Sequence, residues 1–296
     1  MNSGEFKQEL HRKREEINRA LDAFLPVKYP EKLYEAMRYS LLAEDSPHGG
    51  GKRLRPLLLL AAHEAAGGAD TPLAMVFACA LEMIHTYSLI HDDLPQMDND
   101  SLRRGKPANH VVYGDAVALL AGDGLLNTAY ELMARAAAEH YSENAVRAMT
   151  EIAYSAGIGG MVGGQAVDIL SGNKAADSET LLYMHRGKTA ELFRAALCAG
   201  GRLAGAGSGL CAQFSALGLS LGLAFQIKDD LLDVTGDACG TGKTSSDERN
   251  GKATFVTLYG KEGAMRELTA ARAETGRLCA GLGGAFLKRI IDEVLY

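Results

Sequence analysis

Apolar side chains recur at helical spacing along almost the whole chain, and that pattern predicts the elements. Residues 5–24 place Phe6, Leu10, Ile17, Leu21 and Phe24 on a helical period, and residues 31–43 repeat it with Leu33, Met37 and Leu41. After a loop holding Pro47 and Gly49-Gly50-Gly51, Pro56 falls near the start of another helix, a position where proline is tolerated. Residues 71–94 are almost wholly apolar, which predicts a long helix buried on every side. Pro95 should end or distort it, because the residue before a proline is biased away from the α region. Segments 115–139, 143–170, 178–200, 208–234, 254–275 and 281–295 read as further helices, joined by short loops except around 236–253. Alternating β-branched runs are nearly absent, no repeat of solenoid period is visible, and no linker of convincing composition divides the chain. The expected architecture is all-α: one large helical bundle spanning residues 1–296 as a single domain.

Composition agrees, with abundant alanine and leucine, 47% apolar residues and seven prolines. A net charge of −6 argues against nucleic acid as a partner. The five cysteines (Cys79, Cys198, Cys211, Cys239, Cys279) are scattered and form no CxxC pair, so neither a zinc site nor a disulfide framework is expected. They fit small buried hydrophobes in a reducing cytoplasm. The opening Met1-Asn2-Ser3-Gly4-Glu5 does not read as a signal peptide, and no uninterrupted apolar run reaches the ~18 residues of a membrane span. The expected location is therefore cytoplasmic.

Two acidic clusters change this picture. The first runs from His91-Asp92-Asp93-Leu94-Pro95 to Asp98-Asn99-Asp100, with Arg103-Arg104-Gly105 directly after; the second is Asp229-Asp230-Leu231-Leu232-Asp233. Acidic runs are commonly solvated surface, but both of these follow strongly apolar stretches, Leu81 to Ile84 and Leu219 to Ile227. Carboxylate oxygens suit Mg²⁺, and paired arginines suit phosphate. Asp229 and Asp233 are four residues apart and share a helix face, about 6 Å apart along the axis. Asp92 and Asp98 are six apart, roughly 240° around an ideal helix, so they converge only if the helix breaks between them. Pro95 supplies that break. If the clusters face each other, two or three Mg²⁺ ions would bridge a diphosphate.

Gly51-Lys52-Arg53-Leu54-Arg55-Pro56 adds Lys52 and Arg55 at a helix opening, where anions are favoured and a second diphosphate would fit. The alternative for this segment is a solvated basic turn. No lysine completes a Walker A loop: the glycine required before Lys188-Thr189 is Leu182, the one before Lys243-Thr244 is Asp237, and Lys52 is followed by Arg53. A His-Asp phosphohydrolase would need more histidines than His85 and His91 provide nearby.

These residues resemble a family. Glu82-Met83-Ile84-His85-Thr86-Tyr87-Ser88-Leu89-Ile90-His91-Asp92-Asp93-Leu94-Pro95, running on to Arg103-Arg104-Gly105-Lys106-Pro107, is similar to the first aspartate-rich motif of the trans-isoprenyl diphosphate synthases. Phe225-Gln226-Ile227-Lys228-Asp229-Asp230-Leu231-Leu232-Asp233 is similar to their second. Gly51 to Pro56, Gly163-Gly164-Gln165 and Gly187-Lys188-Thr189 match in family order, and the likeness runs from about residue 28 to 260. Within the family it is strongest to bacterial members that make farnesyl diphosphate. The resemblance implies an all-α homodimer with a deep cavity. It implies Mg²⁺ held by Asp92 and Asp98, with Asp93 assisting, and by Asp229 and Asp233, with Asp230 nearby. Lys52, Arg55, His85 and Arg104 would hold isopentenyl diphosphate; Arg103, Lys188, Thr189, Gln226, Lys243 and Lys252 would hold the allylic diphosphate. The implied reaction joins dimethylallyl or geranyl diphosphate to isopentenyl diphosphate by ionisation, condensation and elimination, giving farnesyl diphosphate. A geranylgeranyl product is the alternative.

Tyr87 and Ser88, five and four residues before Asp92, would set product length. The other reading of Tyr87 is a plain core aromatic. A terpene cyclase has no use for the second set of cations, and a dead partner subunit would be expected to have lost one acidic cluster. The chain departs from the family pattern at Ala108-Asn109, at Ala253-Thr254-Phe255 and at its acidic, apolar end Asp292-Glu293-Val294-Leu295-Tyr296, where a basic closing tail is common.

Overall fold

The computed structural model describes residues 1–42, 51–69, 71–172, 177–235 and 253–296. Helix α1 (Ser3–Phe24) starts under a reciprocal cap: Asn2 Oδ1 accepts from the Glu5 amide at 2.9 Å, and Glu5 Oε2 accepts from the Asn2 amide at 2.8 Å. Helices α2 (Glu31–Leu41), α3 (Leu54–Ala65) and α4 (Thr71–Asp92) follow. A hairpin of β1 (Leu102–Arg103) and β2 (Lys106–Pro107) leads into α5 (Asn109–Tyr113), α6 (Asp115–Glu139) and α7 (Glu143–Ala156). Next come α8 (Met161–Ser171), α9 (Ser178–His185), a π-helical turn (Arg186–Ala190), α10 (Glu191–Leu203) and α11 (Ser208–Thr235). The chain closes with α12 (Phe255–Ala280) and α13 (Ala285–Leu295). The all-α expectation holds.

The helices gather into two compact units. The first takes in Met1–Leu57 and Thr71–Glu143 and the second the other described residues, so the chain changes unit inside α3. In the first, α4 packs along α6 and against α1 and α2, with Phe77, Leu81, Met83 and Ile84 fully buried. In the second, α11 packs against α10 and α12, and α13 docks on it through Phe286, Leu287, Ile290 and Ile291. Each such side chain contributes roughly 1.5–3 kcal/mol of transfer free energy.

Several boundaries differ from the periodicity. Helix 143–170 breaks after Ala156, where Gly157, Gly159 and Gly160 are poor helix formers and Gly160 leaves the helical region (φ −137°, ψ −117°). Segment 178–200 is interrupted by the π-helical turn. The hairpin and α5 have no apolar period to announce them; Arg104 (φ 55°) and Gly105 (φ 77°) form a two-residue turn with both φ positive, the geometry that matches strand twist. By length and composition, α4 (Thr71–Asp92) and residues Ser208–Val234 of α11 would each suffice to cross a bilayer, although neither is an unbroken apolar run. In α4 that stretch is 72% buried within the protein, and α11 carries Lys228, Asp229, Asp230 and Asp233.

Candidate active site

Helix α4 stops at Asp92, and the chain then folds back on itself. The Leu94 amide donates to the His91 carbonyl at 3.1 Å, and the Asp98 amide donates to the Asp92 carbonyl at 2.8 Å. Asn99 completes the turn with φ 51°. The break ahead of Pro95 thus brings Asp92 and Asp98 together, both half-buried. Asp93 points elsewhere: it is 2% exposed, and Arg103 Nε donates to both of its carboxylate oxygens at 3.0 Å. The His91 ring turns to α6, where Nε2–H donates to the Leu119 carbonyl at 3.0 Å. That direction is of no use to a His-Asp phosphohydrolase.

Beside this turn the first unit concentrates positive charge. Gly51 has φ 102°, a conformation that L side chains rarely adopt, which favours glycine where the Lys52 segment opens; a Cβ there would also lie 2.6 Å from the Arg104 guanidinium carbon. Arg53, 2% exposed and held at φ 51°, donates from Nε to Asn18 Oδ1 (2.8 Å), from Nη1 to Glu82 Oε1 (2.9 Å) and from Nη2 to the Leu41 carbonyl (2.7 Å). One side chain therefore ties α1, α2 and α4 to the start of α3. A buried pair of this kind costs about 3–5 kcal/mol when one partner is lost. Burial pushes Arg55 down to about 10, with Arg104 adding to the effect and Glu82 opposing it. At neutral pH the guanidinium keeps its proton. Burial, reinforced by Arg55, Arg104, Arg103 and Arg53, holds His85 well below its ordinary value, so its imidazole is neutral. Half-buried Arg55 and Arg104, gathered around a neutral imidazole, suit an anion.

Ser88 spends its hydroxyl on the His85 carbonyl at 2.9 Å. Tyr87 is 7% exposed and meets the His91 ring edge-on at 5.6 Å. Burial, with Tyr130 of α6 and Asp92 adding to it, pushes its phenol up to about 12.

The second unit holds the remaining described candidates. Gly164 of α8 lies against the π-helical turn, where a Cβ would come 2.2 Å from the Lys188 amide nitrogen. Such turns are frequent at functional sites. Here the turn presents Lys188, whose ammonium lies 2.7 Å from Asp168 Oδ2, and Thr189, whose hydroxyl donates to Gln226 Oε1 at 2.7 Å. Gln226 Nε2 donates to Asp230 Oδ1 at 2.9 Å. Asp229 and Asp233 are half-buried one turn apart on α11. Lys243 and Lys252 lie outside the described residues.

The sequence reading gave no role to Asp168, Glu82 or Gln165. Asp168 had a local signal, three residues after Gln165 on α8, whereas nothing local marked Glu82 as the partner of Arg53. Both polar atoms of the Gln165 carboxamide are buried and meet no hydrogen-bond partner among the described residues.

Mg²⁺ fits this donor set. Among the described residues no three His, Cys, Asp or Glu side chains form a closed metal cage. Mg²⁺ asks for less, taking one or two carboxylates and completing its shell with phosphate oxygens and water. The Asp92–Asp98 turn and the Asp229–Asp233 face each offer such a pair. The four described cysteines are all buried and free, so soft-metal ligation has no support there.

Comparison with known proteins agrees with this chemistry. A farnesyl diphosphate synthase of Geobacillus stearothermophilus is 43% identical over 265 residues, covering 88% of this chain and 87% of the relative. A geranylgeranyl diphosphate synthase of Cyanophora paradoxa is 42% identical over 260 residues, covering 87% and 84%. The solved geranyltransferase of Helicobacter pylori, complexed with magnesium and isoprenyl diphosphate, superposes with a TM-score of 0.83 at 30% identity, covering 100% of this chain and 98% of that one. The family model described as polyprenyl synthetase matches residues 31–276, and with the two aspartate-rich segments in place on α4 and α11 the chain belongs to the polyprenyl synthetase family.

Proposed function

We propose that the protein is a Mg²⁺-dependent trans-prenyltransferase that extends dimethylallyl or geranyl diphosphate with isopentenyl diphosphate to farnesyl diphosphate. The observation that carries this reading is the half-buried cradle of Arg55, His85 and Arg104, which shares one unit with the Asp92–Asp98 turn. Lys52, Arg55 and Arg104 bind the diphosphate of isopentenyl diphosphate, and neutral His85 contributes an N–H donor. Arg103, Lys188, Thr189 and Gln226, with Lys243 and Lys252, hold the allylic partner. Two or three Mg²⁺ ions on Asp92, Asp98, Asp229 and Asp233 would offset the charge developing on the departing diphosphate. Arg103, steadied by Asp93, adds a cation that needs no reorganisation as the bond breaks. Water is kept from the allylic cation by apolar walls, and the released diphosphate takes the proton lost after condensation. Incubation with Mg²⁺, isopentenyl diphosphate and each allylic primer, read by mass, should give farnesyl diphosphate. No extension of any primer would overturn the proposal.

Two expectations accompany it. Arg55→Ala should raise the KM for isopentenyl diphosphate roughly 10–100-fold, the loss of one charged hydrogen bond, and leave the primer KM nearly unchanged. The reverse pattern in initial-rate data would exchange the two sites. The protein should also act as a homodimer. Val111 and Val112 of α5 and Leu119 and Leu120 of α6 are 46–54% exposed, apolar surface that a second copy would cover. Sedimentation at a monomer's mass under assay conditions would reject this.

A further inference from the structure

The second aspartate of the α11 cluster is built differently from its neighbours. Asp230 has a side chain 4% exposed, while Asp229 and Asp233 are half-buried. Its Oδ2 accepts the Phe255 amide at 2.8 Å, at the first residue of α12, and its Oδ1 accepts Gln226 Nε2 at 2.9 Å. His185, stacked on the Phe255 ring at 5.4 Å, places Nε2 3.7 Å from Oδ2, beyond hydrogen-bond reach. On the other side of the carboxamide, Gln226 Oε1 takes the Thr189 hydroxyl proton at 2.7 Å. The chain Phe255–Asp230–Gln226–Thr189 thus links α12, α11 and the π-helical turn.

Chemistry fixes the direction of this chain. A carboxylate only accepts, so Gln226 must turn its NH₂ towards Asp230. Its carbonyl oxygen then has to face Thr189, and the threonine hydroxyl has to donate into it. The orientation of a glutamine amide is ordinarily inferred from its network, and this network allows one answer.

We infer that Asp230 is a positioning residue rather than a metal ligand: it sets the carboxamide of Gln226 and, through it, the hydroxyl of Thr189 where the allylic substrate is held. The inference rests on the function proposed above, since that reading places Thr189 and Gln226 at the allylic partner. It divides the cluster into metal-facing Asp229 and Asp233 and an inward Asp230 that orders the substrate wall.

Exchanging the two polar groups tests it. Asp230→Asn should lower kcat/KM for dimethylallyl diphosphate roughly 10–100-fold, because one amide now faces another and the Gln226 orientation is lost. The KM for isopentenyl diphosphate and the Mg²⁺ concentration for half-maximal rate should stay within about two-fold of wild type. Gln226→Glu alone should be impaired by two facing carboxylates. The double variant Gln226→Glu/Asp230→Asn keeps every hydrogen bond: the introduced amide donates to the introduced carboxylate, which still accepts from Thr189. It should regain at least about ten-fold over Asp230→Asn. A second readout is independent of turnover: Mg²⁺ with inorganic diphosphate should raise the Tm of wild type and of Asp230→Asn equally, and that of Asp229→Asn less. A Mg²⁺ requirement raised in Asp230→Asn as in Asp229→Asn, a lost Tm shift, or a double variant no better than its parents would overturn the inference. A wild type that extends no primer would instead sink the proposed function, and the Tm comparison would still decide the role of Asp230.

Discussion

An Asp92→Asn protein is expected to fold normally and to lose turnover by about 10³-fold or more, because a metal-held leaving group is the step on which the reaction depends. The fold should survive because the turn is held by backbone. The Asp98 amide bonds to the Asp92 carbonyl, not to its side chain, and asparagine keeps that carbonyl. What changes is one negative charge and one hard oxygen donor at the end of α4. Excess Mg²⁺ should recover little, since a neutral amide oxygen is a poor substitute for carboxylate in a site that depends on charge. Rates at saturating substrate over a Mg²⁺ series, with Tm measured alongside, read both halves of the statement. EDTA should abolish wild-type activity and added Mg²⁺ restore it. Retention of more than about a tenth of wild-type turnover by the variant would remove Asp92 from the metal site.

The second large effect concerns product length. Tyr87→Ala is expected to shift the product from fifteen carbons to twenty or more without changing the Mg²⁺ requirement. Tyr87 lies five residues before Asp92, so along α4 it stands ~7.5 Å from the end proposed to hold the metal. A prenyl chain growing from the diphosphate down this helix would meet the ring there. The ring is fixed, packed edge-on to His91, whose own Nε2 is bound to the Leu119 carbonyl. Ser88 is one turn below Asp92, small, and bonded back to its own helix, so it leaves room beside the chain. Truncating a buried aromatic costs about 3–5 kcal/mol, so the assay belongs well below the lowered Tm. Product masses decide the matter. If the variant makes only farnesyl diphosphate at full rate, the floor is elsewhere, and Tyr130 on α6, close enough to Tyr87 to influence its phenol, is the next ring to remove.

The sequence by itself determined the helices and the parts list. Periodicity is a local property, and it located α6 at Asp115–Glu139 and α1, α4 and α11 to within a few residues. The proline break between Asp92 and Asp98 was equally legible, because proline acts on its own neighbours. Tertiary structure alone decided which member of each acidic pair faces outward. Asp92 and Asp93, like Asp229 and Asp230, are adjacent and point about 100° apart on a helix, so one of each pair turns inward. Only the partners brought in by folding, Arg103 for Asp93 and Phe255 with Gln226 for Asp230, settle which one. The Arg53–Glu82 pair joins residues 29 apart and the Thr189–Gln226 bond residues 37 apart. No spacing rule reaches that far, because such contacts depend on how helices pack rather than on how any one of them winds. The π-helical turn at Lys188 and Thr189 belongs to the same class: its backbone fits only because Gly164 of another helix leaves it space.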